Sequence, residues 1–196
     1  NITTVVKSTV TPDIVTNWPI NVVYNPEFLT EKSANEQFVS PPFHILGGWP
    51  DATKYVEKVY EEYSLCNLCP SLHMTLEEAS FVKYTINSFL AMKVLFFNQL
   101  YDAIGETNAN FATIIKAVGM DDRIGSSHTK VPGFDGKQGY GGACFPKDTS
   151  AFTKFSKQLT LLAKCVNINN EYRLQYELDN REIEQHVNYG QTKEEQ

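Results

Sequence analysis

Phe81-Val82-Lys83-Tyr84-Thr85-Ile86-Asn87-Ser88-Phe89-Leu90-Ala91-Met92-Lys93-Val94-Leu95-Phe96-Phe97-Asn98-Gln99-Leu100 is the stretch on which the fold turns. Its apolar residues reach nearly every side of a helical wheel, and a helix apolar all round is buried all round. Thr75 followed by Glu78 has capping-box spacing, and Gly105 is a natural stop, so a helix is expected from Thr75 to Ile104. In a chain of 196 residues a second subunit is expected to supply part of its cover.

Working outward, residues 1–48 read as α/β or β-rich. Strands are expected at Ile2 to Thr9, Ile20 to Tyr24 and Phe43 to Leu46 before Gly47-Gly48. Between the last two, Asn25 is a good N-cap and Pro26 a good first position, so a helical turn should carry Glu27 and Glu31 on one face. From Asp51 the pattern turns helical and stays so: Asp51 to Tyr63, the long helix, Asn110 to Val118, Pro146 to Lys157, and Leu159 to about His186. A glycine-rich loop fills 121–143, long enough to be read as functional.

Composition is ordinary, with 42% apolar and 20% charged residues. The net charge of −6 argues against nucleic acid or an anionic membrane surface as the main partner. No apolar run approaches the ~20 residues of a membrane span, and the start lacks the pattern of a signal peptide. Four cysteines do not make a disulfide framework at this length, which points to the cytoplasm. The chain opens at Asn1 inside a β-branched run, as a piece of something longer would.

Gly141-Gly142-Ala143-Cys144-Phe145-Pro146-Lys147-Asp148 sets a thiol at the mouth of a helix. With Pro146 at the first helical position, Cys144 lies just before the unpaired N–H groups, where the macrodipole and Lys147 favour a thiolate. The two glycines would let another molecule approach the backbone. A nucleophile's seat and a buried cysteine at a helix start fit these eight residues equally.

Five separated motifs then agree. Lys7-Ser8-Thr9-Val10, Asn25-Pro26-Glu27-Phe28-Leu29 with Glu31, Lys83 with Asn87, Asp122-Arg123-Ile124-Gly125, and Gly141 to Asp148 together resemble the UDP-glucose/GDP-mannose dehydrogenase family over about residues 1–175. The resemblance implies NAD-dependent oxidation of a nucleotide sugar to its uronic acid, UDP-glucose to UDP-glucuronate being one case. It implies a homodimer, and three parts: an NAD-binding Rossmann domain, a central helical domain and a nucleotide-binding third domain. The fold expected is α+β leaning to mostly α, with remnant strands of a Rossmann-like sheet before a helical domain built on one long dimerisation helix. Residues 1–50 would be the end of the NAD domain, 51–74 a connecting helix and linker, 75–189 the central domain, and 190–196 a disordered tail. No Gly-x-Gly-x-x-Gly follows a first strand, and the third domain is absent. The chain is therefore expected to be inactive alone, the NAD-binding part coming from a separate partner or lost from this fragment.

By resemblance Cys144 is the nucleophile that holds the aldehyde between two oxidations. Lys83 and Asn87, four residues apart on one helical face, match the family's oxyanion donors. Glu27 matches a base for thioester hydrolysis, while Asp148 and Thr9 position a water that takes the alcohol proton. Substrate contacts are expected at Glu31, Arg123, Lys147, Gly141, Gly142, Phe28 and Leu29, and NAD contacts at Thr9 and Glu31. Arg123 would reach a neighbouring subunit's substrate, and Lys130 and Lys137 could meet sugar or phosphate oxygens. Against this stand a solvated Lys83, an exposed acidic turn at Glu27 and Glu31, and a loop-stabilising Arg123. Cys66, Cys69 and His73 offer three ligands where a structural zinc site uses four, so no metal is expected. Cys165 reads as a buried small hydrophobe. Two rival functions are a non-catalytic helical oligomerisation module and a thiol hydrolase without a nicotinamide step.

Overall fold

The computed structural model describes residues 2–29 and 33–190. Glu31 and the tail at 191–196 lie outside the described residues. Two compact units divide the chain, residues 1–85 and 86–196.

The first unit carries β1 (Thr4–Val6), α1 (Pro12–Val15), β2 (Val22–Tyr24), α2 (Ala34–Val39), β3 (His44–Gly47), α3 (Pro50–Tyr63) and β4 (Ser71–Met74). Its mixed sheet has the order β1-β2-β3-β4. β1 runs parallel to β2 and β3 parallel to β4, while β2 and β3 are antiparallel through Tyr24 and Gly47. The three expected strands are present but shorter. β4 was not expected: it falls where the pattern reads as connecting helix and linker. Ser71 to Met74 pair with His44 to Gly47 residue for residue, so the ladder makes a strand of four residues whose polar-apolar alternation is too short to announce one alone.

The expected helical turn after Asn25 does not form, and residues 25–29 are irregular. The reason is the use made of Asn25. Its buried amide donates to the Ile45 carbonyl at 2.9 Å, and its Oδ1 accepts from Tyr60 at 2.7 Å and Lys7 at 3.0 Å. A side chain satisfied by the sheet and α3 cannot cap a helix as well. One core packs Val15, Tyr24, Ile45 and Ala79 together; another packs Val23, Leu46 and Val56. Gly47 permits this closeness, since a Cβ there would lie 2.6 Å from Ala79 Cβ and 2.9 Å from the Thr75 carbonyl.

α4 (Leu76–Gly105) is the expected long helix. Its capping box is formed: Thr75 N donates to Glu78 Oε2 at 2.8 Å, and Glu78 N to Thr75 Oγ1 at 3.2 Å. Burial is not complete on all sides, because Phe89 and Phe96, seven residues apart, are 62% and 61% exposed.

The second unit continues with α5 (Phe111–Val118), α6 (Phe145–Phe155), α7 (Thr160–Arg173) and α8 (Asn180–Glu184). Asn110 caps α5, its side chain accepting from Thr113 N. The single helix expected from Leu159 to His186 is broken at 174–179. Asp179 restarts it with a full capping box on Glu182, which is wholly buried against Arg173. Ala91, Leu95 and Tyr140 form this unit's core, joined by Phe145, Ile168 and Tyr172. Cys165 joins it too but is only partly buried. Among the described residues no helix is long and apolar enough to cross a membrane.

Candidate active site

Cys144 is the N-cap residue of α6, which starts at Phe145, one residue earlier than Pro146 predicts. Pro146 takes the second position, which still needs no N–H. The Cys144 side chain is exposed. Its carbonyl accepts the Asp148 N–H at 2.9 Å, closing the first helical turn. Asp148, 1% exposed, then lies one turn behind the thiol, its carboxylate accepting from Asn87 Nδ2 at 2.6 Å and from Lys147 Nζ at 2.5 Å. The structure thus brings together Cys144, Asp148, Lys147 and Asn87 from the predicted set.

The loop that delivers Cys144 is fixed from three sides. Gly139 N donates to Asn98 Oδ1 at 3.0 Å, Tyr140 N to Asn169 Oδ1 at 2.7 Å, and Gly142 N to Glu182 Oε1 at 3.2 Å. Glu182 pairs with Arg173, which also pairs with Asp135 at 2.7 Å, and Tyr189 donates to Glu182 Oε1 at 2.8 Å. Burial and that bond push the Tyr189 hydroxyl well above the usual phenol range. This buried network was not foreseen; the only trace in the sequence is the Asp179-x-x-Glu182 capping spacing. It also corrects the reading of Gly141. A Cβ there would lie 2.4 Å from Arg173 Nη2 and 2.5 Å from Glu182 Oε1, so the close approach is made by the protein's own ion pair.

Arg123 is held on Asp121, Nη2 to Oδ2 at 2.6 Å and Nε to Oδ1 at 3.0 Å, with its side chain 89% exposed. Lys93 anchors the same loop through the Ile124 carbonyl at 2.6 Å. Lys137 donates to the Glu177 carbonyl, and Lys130 lies over the Phe134 ring, 4.7 Å from its centroid.

Thr9, Glu27, Phe28, Leu29 and Lys83 belong to the first unit. Lys83 is buried; it donates to the Glu27 carbonyl at 2.5 Å and its Nζ sits 5.1 Å from the Phe28 ring centroid. The solvated reading of Lys83 is thereby removed. The Glu27 carboxylate pairs with Lys7 at 3.0 Å. Glu27, Phe28, Leu29 and Lys7 line a cavity of about 190 Å³ walled by Phe38, Phe43 and Tyr60. Lys7, the first residue of the Lys7-Ser8-Thr9-Val10 motif, joins this lining in addition to the expected site residues. Thr9 lies, partly buried, in the turn between β1 and α1.

Gly47 and Gly48 do not form a cradle for the pyrophosphate of NAD. In the first unit Gly47 ends β3 and Gly48 leads toward α3, but the Val22 carbonyl would lie 2.9 Å from a Gly48 Cβ and Ala79 closes on Gly47. The protein's own backbone fills the space that a phosphate cradle would need.

Residues 77–171 match the family model described as UDP-glucose/GDP-mannose dehydrogenase family, central domain. That stretch of the chain is similar to the family's central domain. A UDP-glucose 6-dehydrogenase of Rhizobium meliloti (strain 1021) is 37% identical over 138 residues, covering 69% of this chain and 30% of that protein. One from Campylobacter jejuni is 34% identical over 157 residues, covering 80% of this chain and 39% of that protein. The solved UDP-glucose dehydrogenase of the archaeon Pyrobaculum islandicum matches with a TM-score of 0.72 and 34% identity over 86% of this chain and 40% of that one. The chain thus spans about a third of the length of these curated relatives.

Proposed function

We propose that the chain is the thiol-bearing portion of an NAD-dependent nucleotide-sugar 6-dehydrogenase, of the kind that takes UDP-glucose to UDP-glucuronate. The observation that carries this is Cys144, exposed at the N-cap of α6 with the buried Asp148–Asn87 pair, joined by the half-buried Lys147, one turn behind it. The substrate class is that of the related UDP-glucose dehydrogenases.

In this reading the Cys144 sulfur adds to the carbon of the sugar aldehyde, and the aldehyde oxygen takes up a proton, giving a thiohemiacetal. Lys83 and Asn87, one turn apart along α4, offer hydrogens to that oxygen as it gains charge, an effect typically worth ~3 kcal/mol per donor. Once the adduct is a thioester, Glu27 takes a proton from water, the water oxygen bonds the acyl carbon, and the C–S bond breaks to return the Cys144 thiolate. Asp148 and Thr9 hold the water that accepts the alcohol proton. Arg123, Lys147, Phe28, Leu29, Gly142 and Glu31 contact the nucleotide sugar. Hydride removal is the cofactor's share, and a Rossmann part must be supplied for it. The exposed Phe89 and Phe96 support a homodimer along α4, and four cysteines, too few for a disulfide framework at this length, suit a cytoplasmic location.

The test is complementation. NADH should form from UDP-glucose when a Rossmann half is added, and be abolished by Cys144→Ala or Lys83→Ala. A complemented protein that binds both ligands and makes no NADH overturns the reading.

A further inference from the structure

Cys66 and Cys69 are left unused by that chemistry. They sit in the connection between α3 and β4, where the backbone is neither helix nor strand. Both thiols are partly exposed, and both line one small cleft with Asn67 and Leu68 between them. Burial, and then the nearby Cys66, pushes the Cys69 thiol above its ordinary range, so the two sulfurs sense each other. The connection is moored to the end of α2. Cys66 Sγ donates to the Phe38 carbonyl at 3.1 Å, Asn67 N to the Val39 carbonyl at 2.7 Å, and Asn67 Nδ2 to Ser40 Oγ at 2.8 Å. Among the described residues no group of three or more His, Cys, Asp or Glu is arranged to hold a metal.

We propose that Cys66 and Cys69 form a redox modification site, converted reversibly to an internal disulfide by a low-molecular-weight disulfide, with release of α2 as the consequence. One cysteine thiolate attacks a sulfur of the small disulfide, forming a mixed disulfide and expelling one thiolate. The second cysteine, as thiolate, attacks the protein sulfur and expels the other. The two thiol protons end on the two expelled thiolates, and two electrons pass from the cysteine pair to the oxidant. Oxidation withdraws the Cys66 S–H from the Phe38 carbonyl, because the sulfur no longer carries a hydrogen. Phe38 belongs to α2, and Lys7 Nζ lies 5.7 Å from its ring centroid, so the change reaches the wall of the Glu27 cavity.

The experiment treats the 196-residue chain with oxidised glutathione, followed by peptide mass mapping and backbone hydrogen exchange. The expected product lacks two hydrogens in the peptide carrying both cysteines and reverts with dithiothreitol. Amide exchange across 36–40 should quicken roughly fivefold, the loss of about one hydrogen bond. Cys69→Ser should instead hold a glutathione adduct on Cys66. Two adducts without an internal link in the unaltered chain, or a link that leaves exchange at 36–40 unchanged, overturns the proposal.

Discussion

Asn87 donates its side-chain amide to the Asp148 carboxylate across 2.6 Å, tying the long helix α4 to the first turn of the helix that Cys144 caps. Both residues are buried, so this bond fixes the seat of the thiol rather than decorating a surface.

Asp148→Ala should therefore cost stability as well as any chemistry. It strands the Asn87 amide and removes the partner of Lys147, a loss of about 1–3 kcal/mol. Urea unfolding followed by helicity measures it. A midpoint unchanged from the parent would show that the cluster does not hold the second unit together.

Gly141→Ala should destabilise by about 1–3 kcal/mol, because its Cβ would strike an arginine that Asp135 and Glu182 lock in place. Gly136 is the control: nothing lies within 4 Å of a Cβ there, although its φ of +76° favours glycine. Thermal melts of the two alanine variants should put Gly141→Ala lower. Equal melting temperatures would mean that the arginine yields.

Alkaline pH should unfold the second unit. Burial pushes the Tyr140 hydroxyl from 10.0 up to about 12. A folded-state value above the unfolded one means that the folded chain keeps its proton longer. Stability is then full below pH 10 and falls as pH rises toward 12, by about 2–3 kcal/mol at most. Tyrosinate absorbance and helicity, titrated together, should change in step in that window, and Tyr140→Phe should soften the change. Tyrosines that all titrate near pH 10 with helicity intact would contradict it.

The Phe89–Phe96 stripe should mediate self-association. Sedimentation of the chain at dilute concentration should show a dimer, and Phe89→Glu with Phe96→Glu should give a folded monomer. A parent chain that sediments as a monomer ends the dimer proposal.

The sequence carried much of this. Capping residues and stops depend on a few neighbours, so α3, α4 and α5 are legible within a residue or two, and the helix behind Cys144 starts one residue from its expected place. Cys144 could be placed at a helix mouth because Pro146 is a local signal, whereas Asn87 and Asp148 were named only through the family resemblance. The failures share a cause. Asn25 looks like a helix cap until Lys7, Tyr60 and Ile45 claim its amide. Gly141 looks like an opening for a ligand until Arg173 and Glu182 occupy it.

What the chain alone determined, then, is whatever depends on hydrogen bonds and periodicity within a helical turn or two: the long apolar helix, its ends, and a thiol at a helix mouth. What only the tertiary structure decided is which polar side chains are used up by partners far along the chain, as in β4 pairing with β3 and Glu182 with Arg173. A buried polar group must find a partner, and the sequence does not say which distant residue will be within reach.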